Sequence, residues 1–296
     1  MKLVESKAEY IPQEEGLEGI YKQIELAGRT AYHSLDKITP DSAKDFVDRM
    51  IKSKHGAALE HGTVYLAIPY TDGETLSHYR GVAGKYNEVE FTRYSKVTMM
   101  RGTHNYVTTN YRVLVENNWL DDLQYLCSPT EFHEKRYTFR MVTSIGVTRE
   151  LNRHRVNSIA EQSTRYCNYA KDKFGNEITV CKPYWLDDNR EFKNSEAYNN
   201  AYELFYSACE EAEGYYMTLI DEGFSPQQAR EVLPLCTASE IIHTAFASDW
   251  RFFFDLRLFA KTGNPHPNML LLAQKMKAEA EDKDVWNDIM RYHSKF

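Results

Sequence analysis

Between Thr148 and Tyr166 the chain reads Thr-Arg-Glu-Leu-Asn-Arg-His-Arg-Val-Asn-Ser-Ile-Ala-Glu-Gln-Ser-Thr-Arg-Tyr, with arginine at 149, 153, 155 and 165 and no lysine. Arginine presents a rigid planar fork that meets phosphate or a planar carbonyl with two parallel hydrogen bonds, whereas lysine is a mobile point charge. The whole chain has 36 Lys+Arg against 43 Asp+Glu and a net charge of -7. A lysine-free arginine cluster on such a background suggests geometric recognition of an anion. Arg153 and Arg155 are two positions apart, so on a helix they would point about 200° away from each other and would serve two ligands, or two parts of a large one. A solvated helix end, with ion pairs to Glu150 and Glu161, fits the same spacing.

Further blocks stand on either side of this cluster. Glu60-His61-Gly62-Thr63 lies upstream; Ala229-Arg230-Glu231-Val232-Leu233-Pro234 and Trp250-x-x-Phe253-x-x-Leu256-Arg257 lie downstream. Taken with Arg153-His154-Arg155, seven residues, then Ser163 inside Glu161-Gln162-Ser163-x-Arg165-Tyr166, the chain resembles the flavin-dependent thymidylate synthases from residue 60 to residue 257.

The resemblance implies an enzyme that holds FAD with Arg153, His154 and Arg155, with His61, Thr63 and Glu161 lining the flavin or substrate site. It implies that Glu161, Gln162, Ser163 and Arg165 hold dUMP, with Ser163 and Arg165 at the phosphate. Glu150 and Arg153 would lie close to the same nucleotide, and Arg230 would reach it from a neighbouring subunit or loop. Arg257 would face the uracil and favour loss of its ring-nitrogen proton. A guanidinium suits that role because it stabilises a developing anion without giving up its own proton; its structural alternative is an ion pair with Asp255 or Glu240.

Methylenetetrahydrofolate as carbon donor, NADPH as reductant of the flavin, a reaction without a cysteine nucleophile, and a cytoplasmic homotetramer with shared active sites are further implications of the resemblance. Two stretches depart from the family pattern. Asp249 to Phe254 reads Asp-Trp-Arg-Phe-Phe-Phe where a polar flavin contact is common, and His266-Pro267-Asn268-Met269 follows Arg257 where the family has another helix start.

Other chemistries find little support. The chain has no Gly-x-Gly-x-x-Gly fingerprint, no phosphate loop with Gly-Lys-Ser/Thr and no His-Glu-x-x-His, so NADPH would bind without a Rossmann unit and a metal site is not expected. The five cysteines form no Cys-x-x-Cys pair and read as reduced thiols; Cys236 reads as a packed, inert one. Neither a signal peptide nor an apolar span is evident, so no membrane is expected. The 21 tyrosines and 14 phenylalanines fall mostly at core spacing rather than as a base-stacking platform, and no nucleic-acid partner is expected. The competing reading is a non-enzymatic nucleotide- or RNA-binding protein that uses the Arg149 to Arg165 cluster.

The elements that must position these residues follow from periodicity and punctuation. Helices are expected over residues 17–32, 40–54, 105–117, 120–126 and 195–222, with a start at Ser225-Pro226, an end at Pro234 and three more helical patterns after 247. Strands are expected over residues 62–69, 88–99, 136–145, 178–182 and 240–247. Together they predict an α/β (α+β mixed) class: a single domain over 1–296 with a central, mostly antiparallel sheet flanked by helices, and insertions near 72–104 and 168–195.

Overall fold

The computed structural model describes residues 1–70, 82–88, 94–100, 103–186 and 196–294. Its centre is a four-stranded antiparallel sheet in the order β2-β6-β9-β7, built from β2 (Lys7–Ile11), β6 (Arg136–Ser144), β9 (Ala238–Phe246) and β7 (Ser158–Glu161). β6 and β9 pair along their whole length, from Arg136↔Phe246 to Ser144↔Ala238. A second antiparallel sheet, β3-β5-β4, joins β3 (Thr63–Pro69), β5 (His104–Asn110) and β4 (Lys96–Met99). β1 (Lys2–Val4) pairs in parallel with β8 (Thr179–Cys181). The mixed α+β class and the central antiparallel sheet are as expected.

Side chains alternate across a strand, so the central sheet has two different faces. On one face Tyr137, Phe139, Met141, Ile241, His243 and Ala245 meet α8 (Ala247–Arg257), α9 (Pro267–Asp282) and α10 (Trp286–Met290), and Trp250, Phe253, Phe254, Leu272 and Met276 fill the gap. The buried Trp250 indole donates to the Tyr137 carbonyl at 2.9 Å, as a buried indole N–H must find an acceptor. The opposite face carries Arg136, Thr138 and Thr244, and Ile242 and Ala160 pack there on Ala27 of α1 (Gly16–Ala31). α1 also packs on α2 (Ser42–Lys52) and on the β3-β5-β4 sheet through Ile20, Ile24, Phe46, Val64 and Leu66. Gly62 makes the close approach to α1 possible: a Cβ there would meet Ile20 and Ile24 at 2.7 to 2.8 Å.

Three short helices, α3 (Gly56–Leu59), α4 (Tyr111–Glu116) and α5 (Ile145–Leu151), and the long α6 (Glu196–Asp221) complete the chain with α7 (Pro226–Ala229). The expected helix over 105–117 is half strand. Val107, Thr108 and Thr109 are β-branched and sit in β5, and Asn110 starts α4 by accepting the Val113 N–H at 3.2 Å. The N-terminal strands β1 and β2 carried no expectation. The Ser225 start holds as a capping box with Gln228, and the 3-10 turn Arg230–Val232 ends ahead of Pro234. Of the strand expected at 88–99, β4 covers Lys96–Met99 while 89–93 lie outside the described residues, as do 72–81, 101–102 and 187–195 of the two expected insertions.

Candidate functional site

α5 follows directly from β6, with Ser144 as its cap, and ends at Leu151. Arg153, His154 and Arg155 therefore lie in the turn between α5 and β7, not on a helix, and the opposed directions expected from helical spacing do not apply. His154 turns inward, 5% exposed, with its ring 5.0 Å from that of Phe253, while Arg153 and Arg155 are exposed. Among the described residues neither arginine has a carboxylate within 4 Å. The ion pairs expected from Glu150 and Glu161 to this cluster are not formed.

Glu150 pairs instead with Arg257, at the last turn of α8. Arg257 Nη1 donates to the Glu150 carboxylate at 2.7 Å, Nη2 to the Glu150 carbonyl at 3.2 Å, and Nε to His154 Nε2 at 3.3 Å. Arg257 thus avoids both expected structural partners: Asp255 pairs with Arg251 and Lys261, and Glu240 with Arg140. Burial, helped by the Arg257 charge, pushes His154 down to about 4. A neutral ring that accepts at Nε2 carries its proton on Nδ1, so the contact with Arg257 selects the tautomer.

Glu161 reaches the same side of the sheet. Its carboxylate accepts from Ser239 Oγ at 3.1 Å on β9 and from Asn152 Nδ2 at 3.2 Å just after α5. Glu150, His154 and Arg257 form one group, and Glu161 stands on the same α8 face of the sheet, bonded to Ser239 and Asn152.

The rest of the arginine-rich segment runs off the edge of the sheet. Gln162 is absorbed in structure: its backbone N–H donates to the Glu240 carbonyl at 2.7 Å and its side-chain amide donates to Cys167 Sγ. Ser163 N–H donates to the Ala31 carbonyl at 3.0 Å at the end of α1, and Ser163 Oγ accepts from the Arg165 N–H at 3.3 Å. Arg165 reaches Gln227 on α7 at 3.5 Å, and Arg230 donates to Thr164 at 3.3 Å. Ser163, Arg165 and Arg230 are thereby gathered beside α7.

His61 and Thr63 lie on the opposite face of the sheet. Fully buried His61 shares a 2.9 Å hydrogen bond between Nδ1 and Thr244 Oγ1, and burial with the nearby Arg136 charge pushes it down to about 3. Thr63 Oγ1 accepts from Arg136 at 3.3 Å. Within one chain the structure does not bring His61 and Thr63 onto the face that holds His154 and Arg257.

Sequence reasoning passed over Arg136, His243 and Asn157. The Arg136 guanidinium is 9% exposed, donates to the Glu60 carbonyl, Thr63 and Ser158, and leaves Nε without a partner. Among the described residues, fully buried His243 has no partner for either ring nitrogen, and Asn157 has none for either side-chain polar atom. Buried polar groups without partners are rare enough to mark a place where another polar group belongs. The signal was present as one histidine in the otherwise strand-forming run Ile241-Ile242-His243-Thr244, and as an arginine opening β6.

A family model described as "Thymidylate synthase complementing protein" matches residues 116–284, which is more than half of the chain. The chain belongs to this family. The flavin-dependent thymidylate synthase of Thermosipho melanesiensis is 31% identical over 130 residues, covering 43% of this chain and 56% of that protein. The flavin-dependent thymidylate synthase of Geobacter sulfurreducens is 28% identical over 140 residues, covering 47% and 55%. The chain spans about half the length of these curated relatives. Among solved structures, a UMP/dUMP methylase PolB from Streptomyces cacaoi bound with 5-Br dUMP is similar at a TM-score of 0.47 and 17% identity, covering 99% of this chain and 98% of that one. Among the described residues no helix is long and apolar enough to cross a membrane.

Proposed function

We propose that the protein is a flavin-dependent thymidylate synthase that methylates dUMP to dTMP, taking the carbon from methylenetetrahydrofolate and the reducing equivalents from FAD reduced by NADPH. The observation that carries this reading is the convergence of Arg257, Glu150 and His154, which come from two motif blocks about a hundred positions apart in the sequence. A flavin would supply the hydride. The residues present suit a flavin dinucleotide: two exposed arginines that have no carboxylate partner among the described residues stand next to a buried neutral histidine and to the Asn157 amide, unsatisfied among the same residues. Arg153 and Arg155 would hold the diphosphate, and His154 the edge of the ring system.

Arg257 has five N–H groups, of which three are engaged with Glu150 and His154. Two remain for a planar pair of acceptors such as the O and deprotonated N of a pyrimidine. Glu150 holds the guanidinium plane, and its burial away from bulk water strengthens the charge that meets the developing anion. Ser163, Arg165 and Arg230, gathered by α7, would take the nucleotide phosphate, with Glu161 at its sugar or base. Methyl transfer here needs no thiolate. Burial pushes the Cys236 thiol up, away from the range of an attacking group.

The separation of His61 and Thr63 from His154 by the central sheet supports a homotetramer with shared sites, in which one copy's His61 face completes another copy's His154 face. The test is anaerobic. Purified protein reconstituted with FAD is expected to lose its visible flavin absorbance with NADPH and to release tritium from dUMP labelled at C5 when the folate is added. Protein that never takes up flavin would overturn the reading. Binding of polynucleotide with a steep salt dependence and no flavin effect would favour the non-enzymatic alternative that uses Arg149 to Arg165.

A further inference from the structure

Two thiols that play no part in the proposed chemistry face each other behind the candidate phosphate group. Cys209, on α6, is 2% exposed; Cys236, half-buried, lies in the turn between Pro234 and β9. Their sulfurs are 3.6 Å apart, across 27 positions of sequence. The turn that holds Cys236 is clamped from three sides: the Leu235 and Thr237 carbonyls accept from Gly146 and Ile145 at the start of α5, and the Cys236 carbonyl accepts from the Cys181 N–H at 2.7 Å. Cys181 is the third thiol nearby, and Ser6 lies beside it. A disulfide needs a sulfur–sulfur distance of about 2.05 Å, so the pair must close by about 1.5 Å.

We propose that Cys209 and Cys236 are a redox modification site: an intramolecular disulfide between them staples α6 to the turn that leads from Arg230 into β9. With a small disulfide such as cystamine as oxidant, the half-buried Cys236 thiolate attacks the cystamine S–S bond. A mixed disulfide forms on Cys236 and one cysteamine leaves. Cys209, losing its proton to solvent, then attacks the Cys236 sulfur and expels the second cysteamine. Two protein thiols are oxidised and one disulfide is reduced to two thiols. Burial holds Cys209 up at about 12 and raises Cys236, so the reaction is slow at neutral pH and faster in mild alkali. The bond belongs to an oxidising episode rather than to the resting, reduced protein.

The probe is cystamine itself, applied to the full chain at mildly alkaline pH, followed by acid quenching, thiol counting in denaturant and non-reducing tryptic mapping. The five free thiols of the reduced protein are expected to fall to three, and the peptide 194–230 is expected to be joined to 231–251. Dithiothreitol should restore all five. In Cys209→Ser the reaction should stop at a cysteamine adduct on Cys236, and in Cys236→Ser both sites should stay unmodified. The oxidised wild-type protein should melt at a higher temperature than the reduced one. Five thiols remaining, a stable cysteamine adduct on wild-type Cys236, a bridge to Cys181 or a lowered melting temperature would each overturn the proposal. The wild-type mapping decides the matter even if a serine variant folds poorly.

Discussion

Arg257 Nη1 lies 2.7 Å from the carboxylate of Glu150, so the last turn of α8 is tied to α5 by an ion pair between residues 107 positions apart. Both groups are mostly shielded from solvent, with side-chain exposures of 17% and 26%. The pair is tied further by the Glu150 carbonyl and by His154. Such a guanidinium is held in place before any ligand arrives, which is the condition for stabilising charge at little reorganisation cost.

Replacing Arg257 by lysine keeps the charge and loses the planar fork. Turnover in a tritium-release assay should fall by about a hundredfold or more, while FAD content, read from visible absorbance, stays close to that of the parent. Equal loss of flavin and turnover would mean that Arg257 holds the cofactor.

Arg155→Ala is expected to act the other way. An exposed arginine without a carboxylate partner contributes little to folding, so the melting temperature should hardly change. FAD affinity, by fluorescence titration, should weaken by about tenfold, the loss of one charge-assisted hydrogen bond.

Cys236→Ala should keep most of the methylation rate and retain the tritium release that accompanies it. A properly folded variant without activity would show that the thiol attacks the pyrimidine.

Three buried histidines set a prediction for acid. His154 is held at about 4 and His61 and His243 at about 3, below the ordinary 6.5, by burial first and then by Arg257 beside His154, by Arg136 beside His61 and by the two other imidazoles beside His243. Between pH 6.5 and about 4 each takes up a proton on unfolding that it does not hold when folded. Stability is therefore full above pH 6.5 and falls as the pH drops, by up to about 1.4 kcal/mol per pH unit for each histidine. Urea melts from pH 7 to pH 4.5 should show the fall, and His243→Leu should make it shallower.

Trp250→Ala should cost about 3–5 kcal/mol in the same urea melts, since the ring is wholly buried against Phe139, Phe253 and Phe254 and its N–H leaves the Tyr137 carbonyl bare. The indole touches none of the expected ligand contacts, so a loss of binding without a loss of stability would be unexpected.

Regular patterns made much of this legible from sequence. Alternation and β-branching located β3, β6 and β9, and the Ser225-Pro226 and Pro234 signals placed the ends of the 226–232 segment. Residues 105–110 misled because Asn105, Thr108, Thr109 and Asn110 look polar on a helical wheel; they are buried in a strand, where Thr109 bonds to Ser95 and Asn110 caps α4. β2 was missed because the alternation in Lys7-Ala8-Glu9-Tyr10-Ile11 is short and weak. The motif blocks named Glu150, His154, Glu161 and Arg257, and the fold joins Glu150, His154 and Arg257 by direct hydrogen bonds. They could not reveal that His61 is buried against the other face of the sheet, because a linear order of motifs carries no information about which side of a strand each one meets.

The four central strands come from residues 7–11, 136–144, 158–161 and 238–246, and the group at α5 closes only with residue 257. Contacts so distant along the chain form late and slowly. A nascent chain that has not yet exposed α8 outside the ribosome has Glu150 and His154 but no guanidinium between them. On the proposed reading, the group that would meet the nucleotide is complete only once α8 has packed against α5.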